Sequence, residues 1–474
     1  MRSKQKEYLY RISCTNLKKW GNFMLEIIVP LLLLFTIALV KQIPVIGGNI
    51  KIALLVAALS SAIISGLAPL ETLLAFIDGI DRLSWVIMLS IFGSIYAESQ
   101  VRLGAMDTTL IGLRSVFGNS PKGLIAAIFI TLIIAGSFLG DAIAAATVIG
   151  FLVINSLNEL KVKPEQIGMI ILVGASIGSI MPPISQGVFL SSSLIGIDPG
   201  PVIKIAYITV SIGALIAIFE SFRFVKGRKM PEHLKTTQSI SSILKERWMT
   251  LVPLGVLVAI VIANTGFDYN IFAEWTIFSA ILNPLMEIPI LQGITFQVVS
   301  AIIIALLVSF LFPIVRKETK GVLKGGLIKV SQTVQIQLCA GVMVGVFYAS
   351  GLIEQVAVLT EGLAASMVKV GGAISMVIVG MLTGSQTTAQ SVIVTFLGPI
   401  LENMSVDPTF IAIGASHIAA AGQNMPPVGL TAFVVCGLIG GILNRQVDPL
   451  KVMVLALPNS FYFLMVGLIA WFIF

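Results

Sequence analysis

Ile180-Met181-Pro182-Pro183-Ile184-Ser185 and Met425-Pro426-Pro427-Val428-Gly429-Leu430 decide the fold. Each lies inside a stretch too apolar for water. Each sets two prolines where a helix should be crossing a membrane. Proline has no amide hydrogen, and it biases the residue before it away from helix. Two in a row stop a helix at mid-bilayer and bare main-chain carbonyls and amides there. A membrane tolerates such a break only where protein buries it or where it lines a cavity. Freed carbonyls suit a cation, and half-helix N-termini suit an anion.

The two breaks anchor two similar halves. Pro164 and Met181 stand 17 residues apart, as do Pro408 and Met425. Asp198-Pro199 recurs as Asp448-Pro449, and Gly136-Ser137 pairs with Gly384-Ser385. Gly93 and Tyr96 pair with Gly345 and Tyr348. Gly/Pro-interrupted segments at matching places in two halves point to a transporter binding site. The expected plan is two repeats, inverted with respect to each other. Long spans come first, then a re-entrant hairpin with a polar tip at Gly136–Asp141 or Gly384–Thr388, then a broken helix and a final span. A basic N-terminal tail covers 1–22, and the first half covers 23–221, with its hairpin near 123–158 and its broken helix near 166–197. A basic linker covers 222–247, and the second half covers 248–474, with its hairpin near 371–402 and its broken helix near 409–440.

Composition agrees. Of 474 residues, 57% are hydrophobic and 11% charged, where a soluble domain carries roughly 25% charged residues. Long apolar runs lie near 23–40, 50–69, 84–101, 202–221, 248–264, 295–315, 331–350 and 452–474. A helix needs roughly 20 apolar residues to cross the hydrocarbon. The expectation is an all-α polytopic protein of the cell (plasma or inner) membrane, with the lipid bilayer as solvent. Residues 223–247 hold seven Lys or Arg and 316–329 hold five, while 265–294 hold Asp268, Glu274 and Glu287 with no Lys or Arg. The positive-inside rule puts the two basic segments in the cytoplasm and 265–294 outside. No aromatic-interleaved basic groove accompanies the net charge of +7, so no nucleic-acid partner is expected.

The N-terminal apolar run lacks a small-residue cleavage site and reads as a retained span. Six Lys or Arg precede Gly21, which argues for a cytoplasmic start; acidic residues at 70–83 and an inverted repeat argue for an external one. We adopt the external reading. Cys14, Cys339 and Cys436 have no zinc or redox spacing, and no metal or other cofactor is expected beyond a coupling ion.

The residues around the breaks resemble one family. Gly140-Asp141-Ala142-Ile143-Ala144-Ala145-Ala146-Thr147, Gly174-Ala175, Leu397-Gly398-Pro399, Val406-Asp407-Pro408 and Met425-Pro426-Pro427-Val428-Gly429-Leu430-Thr431 are similar to the DctM-like large permease subunit of tripartite ATP-independent periplasmic (TRAP) transporters, in the wider ion-transporter superfamily. The resemblance covers roughly 84–474. It implies an elevator-type carrier with a scaffold and a moving domain. It further implies sodium-coupled symport of a dicarboxylate or similar small organic acid, with a small four-helix membrane subunit and an extracytoplasmic solute-binding protein as partners. Two departures stand out. Asp141 follows Gly140 where the family has small hydroxyl residues, and the second tip reads Ser385-Gln386-Thr387-Thr388.

Asp141 is the most informative single residue. A carboxylate in an apolar stretch costs roughly 2.5–3.5 kcal/mol on insertion scales. It should face a cavity or a cation, or cap the helix that starts near Ala142; both roles can hold together. Ser137, Ser385, Thr387 and Thr388 offer neutral oxygens suited to sodium, or serve as helix-packing glue. Ser185, Gln186, Gln423 and Asn424 flank the prolyl breaks, and their polar groups suit an ion or a carboxylate or re-satisfy freed backbone. With Gly140, Gly384, Gln386, Thr431 and the four prolines Pro182, Pro183, Pro426 and Pro427, they complete the expected ion- and substrate-binding set. His417, within an apolar segment, is a candidate for proton coupling or a hydrogen-bonded structural residue. Glu98 and Arg102, four apart on one helix face, read as a membrane-edge pair. Asp407 and Asp448, each before a proline, read as structural. No buried Arg or Lys is evident near either tip.

Three other classes compete. A stand-alone carrier of the same superfamily, an organic-anion symporter or a cation antiporter, would share these features and need no binding protein. An aspartyl intramembrane protease would need Gly-x-Gly-Asp; here Phe138-Leu139-Gly140-Asp141 lacks the first glycine, and no hydrolase motif stands in a suitable place. A channel fits paired broken helices less well than alternating access does. The sequence reads as a transporter, not an enzyme.

Overall fold

The computed structural model describes residues 25–26, 28–38, 40, 42–235, 238–267, 269–353, 355 and 364–473. The expected tail 1–22, Cys14 and Asp268 lie outside the described residues. Among the described residues every regular element is helical, and seven helices are long and apolar enough to cross a membrane. The all-α polytopic class expected from composition is what the chain adopts.

The helices gather into two packed groups. In the first, Ile50–Ser65, Pro69–Arg82 and Ser84–Leu103 all lie on the long helix Thr319–Ala349, and Gln297–Leu311 lies on Ser84–Leu103. Lipid removes the hydrophobic drive between helices, so close approach through small residues replaces it. A Cβ on Gly345 would stand 1.9 Å from the Ala75 carbonyl oxygen, and one on Gly79 would stand 2.0 Å from that of Gly341. The second group holds the hairpins and the broken helices. Pro121–Leu139 and Ala142–Glu159 form the first hairpin and pack on the broken helix Pro164–Ile180/Gln186–Ile195. Ala365–Thr383 and Gln386–Asn403 form the second and pack on Pro408–Asn424, whose chain resumes as Leu430–Leu443. Pro199–Ser221 and Pro449–Ile473 flank this group.

Element boundaries recur at one offset. Helices Pro121–Leu139, Ala142–Glu159 and Pro164–Ile180 reappear, with the same lengths and 244 positions later, as Ala365–Thr383, Gln386–Asn403 and Pro408–Asn424. The crossings recur too: a Cβ on Gly136 would lie 2.7 Å from Gly178 Cα, and one on Gly380 would lie 2.9 Å from Gly422 Cα. This offset corrects one sequence pairing. The turn equivalent to Gly384-Ser385 is Gly140-Asp141, while Gly136 and Ser137 sit in the last turn of the helix before it. Gly/Ser pairs abound in packed membrane helices, and identity alone chose the wrong one.

Hydrogen bonds tie the segments that charge assigned to each side. Arg228 donates to the Leu160 carbonyl at 2.5 Å and Arg114 to that of Leu234 at 3.1 Å, so the open end of the first hairpin meets the basic linker. Asp81 accepts from the Ile290 amide at 2.6 Å and from the Gln292 side chain, joining 70–83 to the acidic 265–294 segment. Gly187 lies against Gln386 and Gln390, and Gly398 against Ile195, so Gln186–Ile195 and Gln386–Asn403 run side by side in one direction. The basic segment 316–329 is helical rather than a loop, spanning Pro313–Lys317 and the first turns of Thr319–Ala349. Its lysines alternate with apolar residues and Gly326 seats it on Ile95, so the helix extends about three turns before the apolar run.

Candidate solute-binding site

The breaks form as the sequence chemistry requires. The Met181 amide donates to the Gly178 carbonyl at 3.0 Å, a tightened last turn, and Met425 does the same to Gly422 at 3.2 Å. The Pro182-Pro183 and Pro426-Pro427 bonds are cis. Beyond the first break, Ser185 caps the next half-helix by accepting from the Val188 amide at 3.2 Å. Beyond the second, the Val428 amide donates to the Met381 carbonyl at 3.2 Å, which stitches the break to the second hairpin.

The hairpin tips are built alike. Gly140 and Gly384 end their helices at φ of 64° and 65°, the left-handed region that glycine alone enters freely. The next residue opens the returning helix as its N-cap. Asp141 Oδ1 accepts from the Ile143 amide at 2.8 Å, and Ser385 Oγ accepts from the Thr388 amide at 3.2 Å. Each tip thus turns a helix N-terminus toward the protein interior, the half-dipole end that favours an anion.

Both tips open on one cavity of about 360 Å³, within the roughly 300–1,000 Å³ range of ligand pockets. It brings together Gly140, Asp141, Gln186, Gly384, Ser385, Gln386, Thr387, Thr388, Gln423 and Thr431. Its other wall is the long helix of the first group, with Lys329, Gln332, Thr333 and Ile336. A narrower recess of about 40 Å³ continues from it past Asp141 and Lys329 to Ser90, Ser94 and Glu98.

Behind the second tip the interior is polar. Gln386 donates to Ser179 Oγ at 3.1 Å, its amide N–H reaches Gln423 Oε1 at 3.4 Å, and Ser176 donates to Asn424 Oδ1 at 2.9 Å. Several buried atoms here have no protein partner: Gln386 Oε1, Gln423 Nε2, and both amide atoms of Gln390. Buried polar atoms are normally paired, which makes Gln386 and Gln423, both lining the cavity, candidates to contact an ion or solute.

The remaining expected residues lie elsewhere. Ser137, Pro182 and Pro183 line a separate apolar pocket with Met181, Tyr207 and Val258. Ser185 and Asn424 are buried behind the cavity wall, and Pro426 and Pro427 do not line it. His417 is fully buried away from the cavity, with Nε2 2.8 Å from Thr209 Oγ1 and Nδ1 2.9 Å from the Ile413 carbonyl. Both ring nitrogens are engaged, as in a structural histidine. Asp407 and Asp448 cap helices at Thr409 and Leu450, each with Oδ1.

Glu98 and Arg102 form the expected pair at 3.1 Å, and Glu98, 6% exposed, also pairs with Lys329 at 2.6 Å. Lys329, half-exposed, is a cation beside both tips that the sequence reading did not place there. It closes the basic run, and counting it with the cytoplasmic charges hid it. The signal was the stripe Lys329, Gln332, Thr333, Ile336, Gln337, a polar helical face inside an apolar span. Gln390, four residues after Gln386 on the same helix face, was also missed.

Residues 1–224 match the family model of the tripartite ATP-independent periplasmic transporter, DctM component. The resemblance to DctM read from the broken-helix motifs is thus matched over residues 1–224. The chain is a multi-pass protein of the cell membrane. No curated protein matches the sequence. The fold resembles that of the Alcanivorax borkumensis YdaH transporter, with a TM-score of 0.58 at 14% identity over 84% of this chain and 86% of that one. It also resembles MtrF of Neisseria gonorrhoeae, one of a class of antimetabolite efflux pumps, with a TM-score of 0.54 at 16% identity over 81% of this chain and 80% of that one. Likeness at these identities speaks to fold alone.

Proposed function

We propose that this DctM-like chain is the large membrane subunit of a TRAP-type secondary transporter that takes up a small organic acid. The observation that carries the proposal is the convergence of two capped hairpin tips on one cavity with Asp141 and Lys329. In this reading the two halves are inverted repeats. The hairpins and broken helices form a moving domain, and the helices around Thr319–Ala349 form the scaffold it slides along. Gln186 and Ser90 meet at 2.9 Å across the boundary between these groups, a polar contact that such sliding must exchange.

Sodium is the coupling ion that the site chemistry favours. A hard cation prefers neutral and carboxylate oxygens, and Gln386 Oε1, the tip hydroxyls and Asp141 offer them in the cavity. Among the described residues no three His, Cys, Asp or Glu cluster as a transition-metal site would. A small four-helix membrane subunit and an extracytoplasmic solute-binding protein complete the assembly in this reading. The test is uptake of labelled dicarboxylates into proteoliposomes, with and without a sodium gradient and a candidate binding protein. Uptake that needs sodium and the binding protein supports the proposal. Uptake by the chain alone identifies a stand-alone carrier, and no uptake of any carboxylate under any gradient rejects both.

A further inference from the structure

The Glu98–Lys329 pair sits where a solute would meet the scaffold. Among the described residues lining the cavity or its recess, Lys329 is the only Lys or Arg, and its side chain is 48% exposed. Its partner Glu98 is 6% exposed and uses its two oxygens separately: Oε2 takes Lys329 Nζ at 2.6 Å, and Oε1 takes Arg102 Nε at 3.1 Å. Arg102 in turn reaches Glu318 at 2.5 Å. Room for Glu98 exists because position 325 is glycine; a Cβ there would lie 3.1 Å from Glu98 Cδ.

This arrangement has an energetic consequence. A buried carboxylate stripped of its only cation is left uncompensated, at several kcal/mol. Glu98 has two cations. If Lys329 swings toward the cavity, Arg102 still holds Glu98, and only one of two charge-assisted bonds is exchanged. An incoming carboxylate replaces Glu98 as the partner of Lys329, so the exchange trades one ion pair for another of the same type. A neutral solute offers no such replacement. Asp141, on the facing tip, repels an anion unless a cation or Lys329 offsets it.

We propose that Lys329 selects an anionic solute, with Glu98 as an internal stand-in for the solute's carboxylate. This rests on the transport reading of the cavity and goes further by naming the residue that sets solute charge.

The test reads cavity charge without knowing the natural solute. In the full chain with Cys14, Cys339 and Cys436 replaced by serine, Thr333→Cys places a thiol one helical turn from Lys329 on the same face. Its reaction rates with anionic sulfonatoethyl and cationic trimethylammonioethyl methanethiosulfonate are measured in proteoliposomes. The ratio of the two rates cancels exposure and leaves charge. Lys329→Gln should lower the anionic-to-cationic ratio about tenfold, as local fields of this size do. Lys329→Arg should keep it, and Glu98→Gln, which frees Lys329, should raise it. A ratio within about twofold of the parent in either Lys329→Gln or Glu98→Gln overturns the proposal. Because Glu98→Gln reports independently, misfolding of one variant leaves the other decisive. Labelling by both reagents at an unchanged ratio removes Lys329 as selector yet keeps the cavity, so the transport reading survives that result.

Discussion

Gln186 and Gln337 donate to one oxygen, the hydroxyl of Ser90, each at 2.9 Å. Gln186 opens the second half of the first broken helix, and Gln337 lies on the long scaffold helix. Ser90 is therefore a knot between the two packed groups. Ser90→Ala removes the shared acceptor. In water a buried orphaned donor costs roughly 1–3 kcal/mol, but in membranes such bonds average about 0.6 kcal/mol because the alternative state also finds partners. We expect a melting temperature lower by only a few degrees and a larger change in transport rate, measured on the same purified protein. An unchanged rate with a large stability loss would show the contact to be structural alone.

The two tip glycines differ in what surrounds them. Alanine at φ near +65° costs roughly 1–2 kcal/mol at either position. At Gly140 a Cβ finds its nearest neighbour at 3.5 Å, while at Gly384 it meets the Leu430 amide nitrogen at 2.7 Å and the Val428 carbonyl at 2.9 Å. Backbone cannot swing aside as a side chain can. Gly384→Ala should lower the yield of monodisperse protein well below that of Gly140→Ala, as size-exclusion profiles would record. Equal behaviour would mean that the second tip packs less tightly than described.

Asp141 has two separable roles. Its cap on Ile143 survives in Asp141→Asn, because asparagine caps as well as aspartate. Its charge in the cavity does not survive. Asp141→Asn should keep the melting temperature and lose most transport. Asp141→Ala should lose about 1 kcal/mol of stability in addition. Uptake and ion dependence like the parent's in Asp141→Asn would remove the residue from the mechanism.

The crossing between Gly136 and Gly178 admits no side chain. A Cβ on Gly178 would lie 2.7 Å from Gly136 Cα and 2.8 Å from the Ile133 carbonyl oxygen. Gly178→Ala must part the hairpin from the broken helix, and overpacking of this kind costs roughly 1–3 kcal/mol. A lower melting temperature is expected. Gly93→Ala is the control, since a Cβ there has nothing within 4 Å.

Much of this was legible before any coordinates. The prolines at 182–183 and 426–427 stop helices for a covalent reason, so both breaks fell where the sequence put them. The shared side of 70–83 and 265–294 was read from acidic residues together with the repeat, and Asp81 with Ile290 places the two segments side by side. Lys329 did not read out, because charge patterning marks which side a segment lies on and says nothing of which lysine turns inward. Ser137 looked like a tip residue because a glycine precedes it. Only the positive φ at Gly140 shows the turn to lie three residues further on. Gln390 was invisible for a related reason: an amide in an apolar helix signals burial, and which helix faces it is a tertiary fact.

The central claim is that the cavity between the tips is carried from one side of the membrane to the other. Thr383 lines that cavity at the end of the second hairpin's first helix. In the cysteine-free chain in proteoliposomes, Thr383→Cys should react with a membrane-impermeant thiol reagent applied from either face, with the favoured face shifting when sodium replaces potassium. Labelling from one face only, in every ionic condition, would contradict the account.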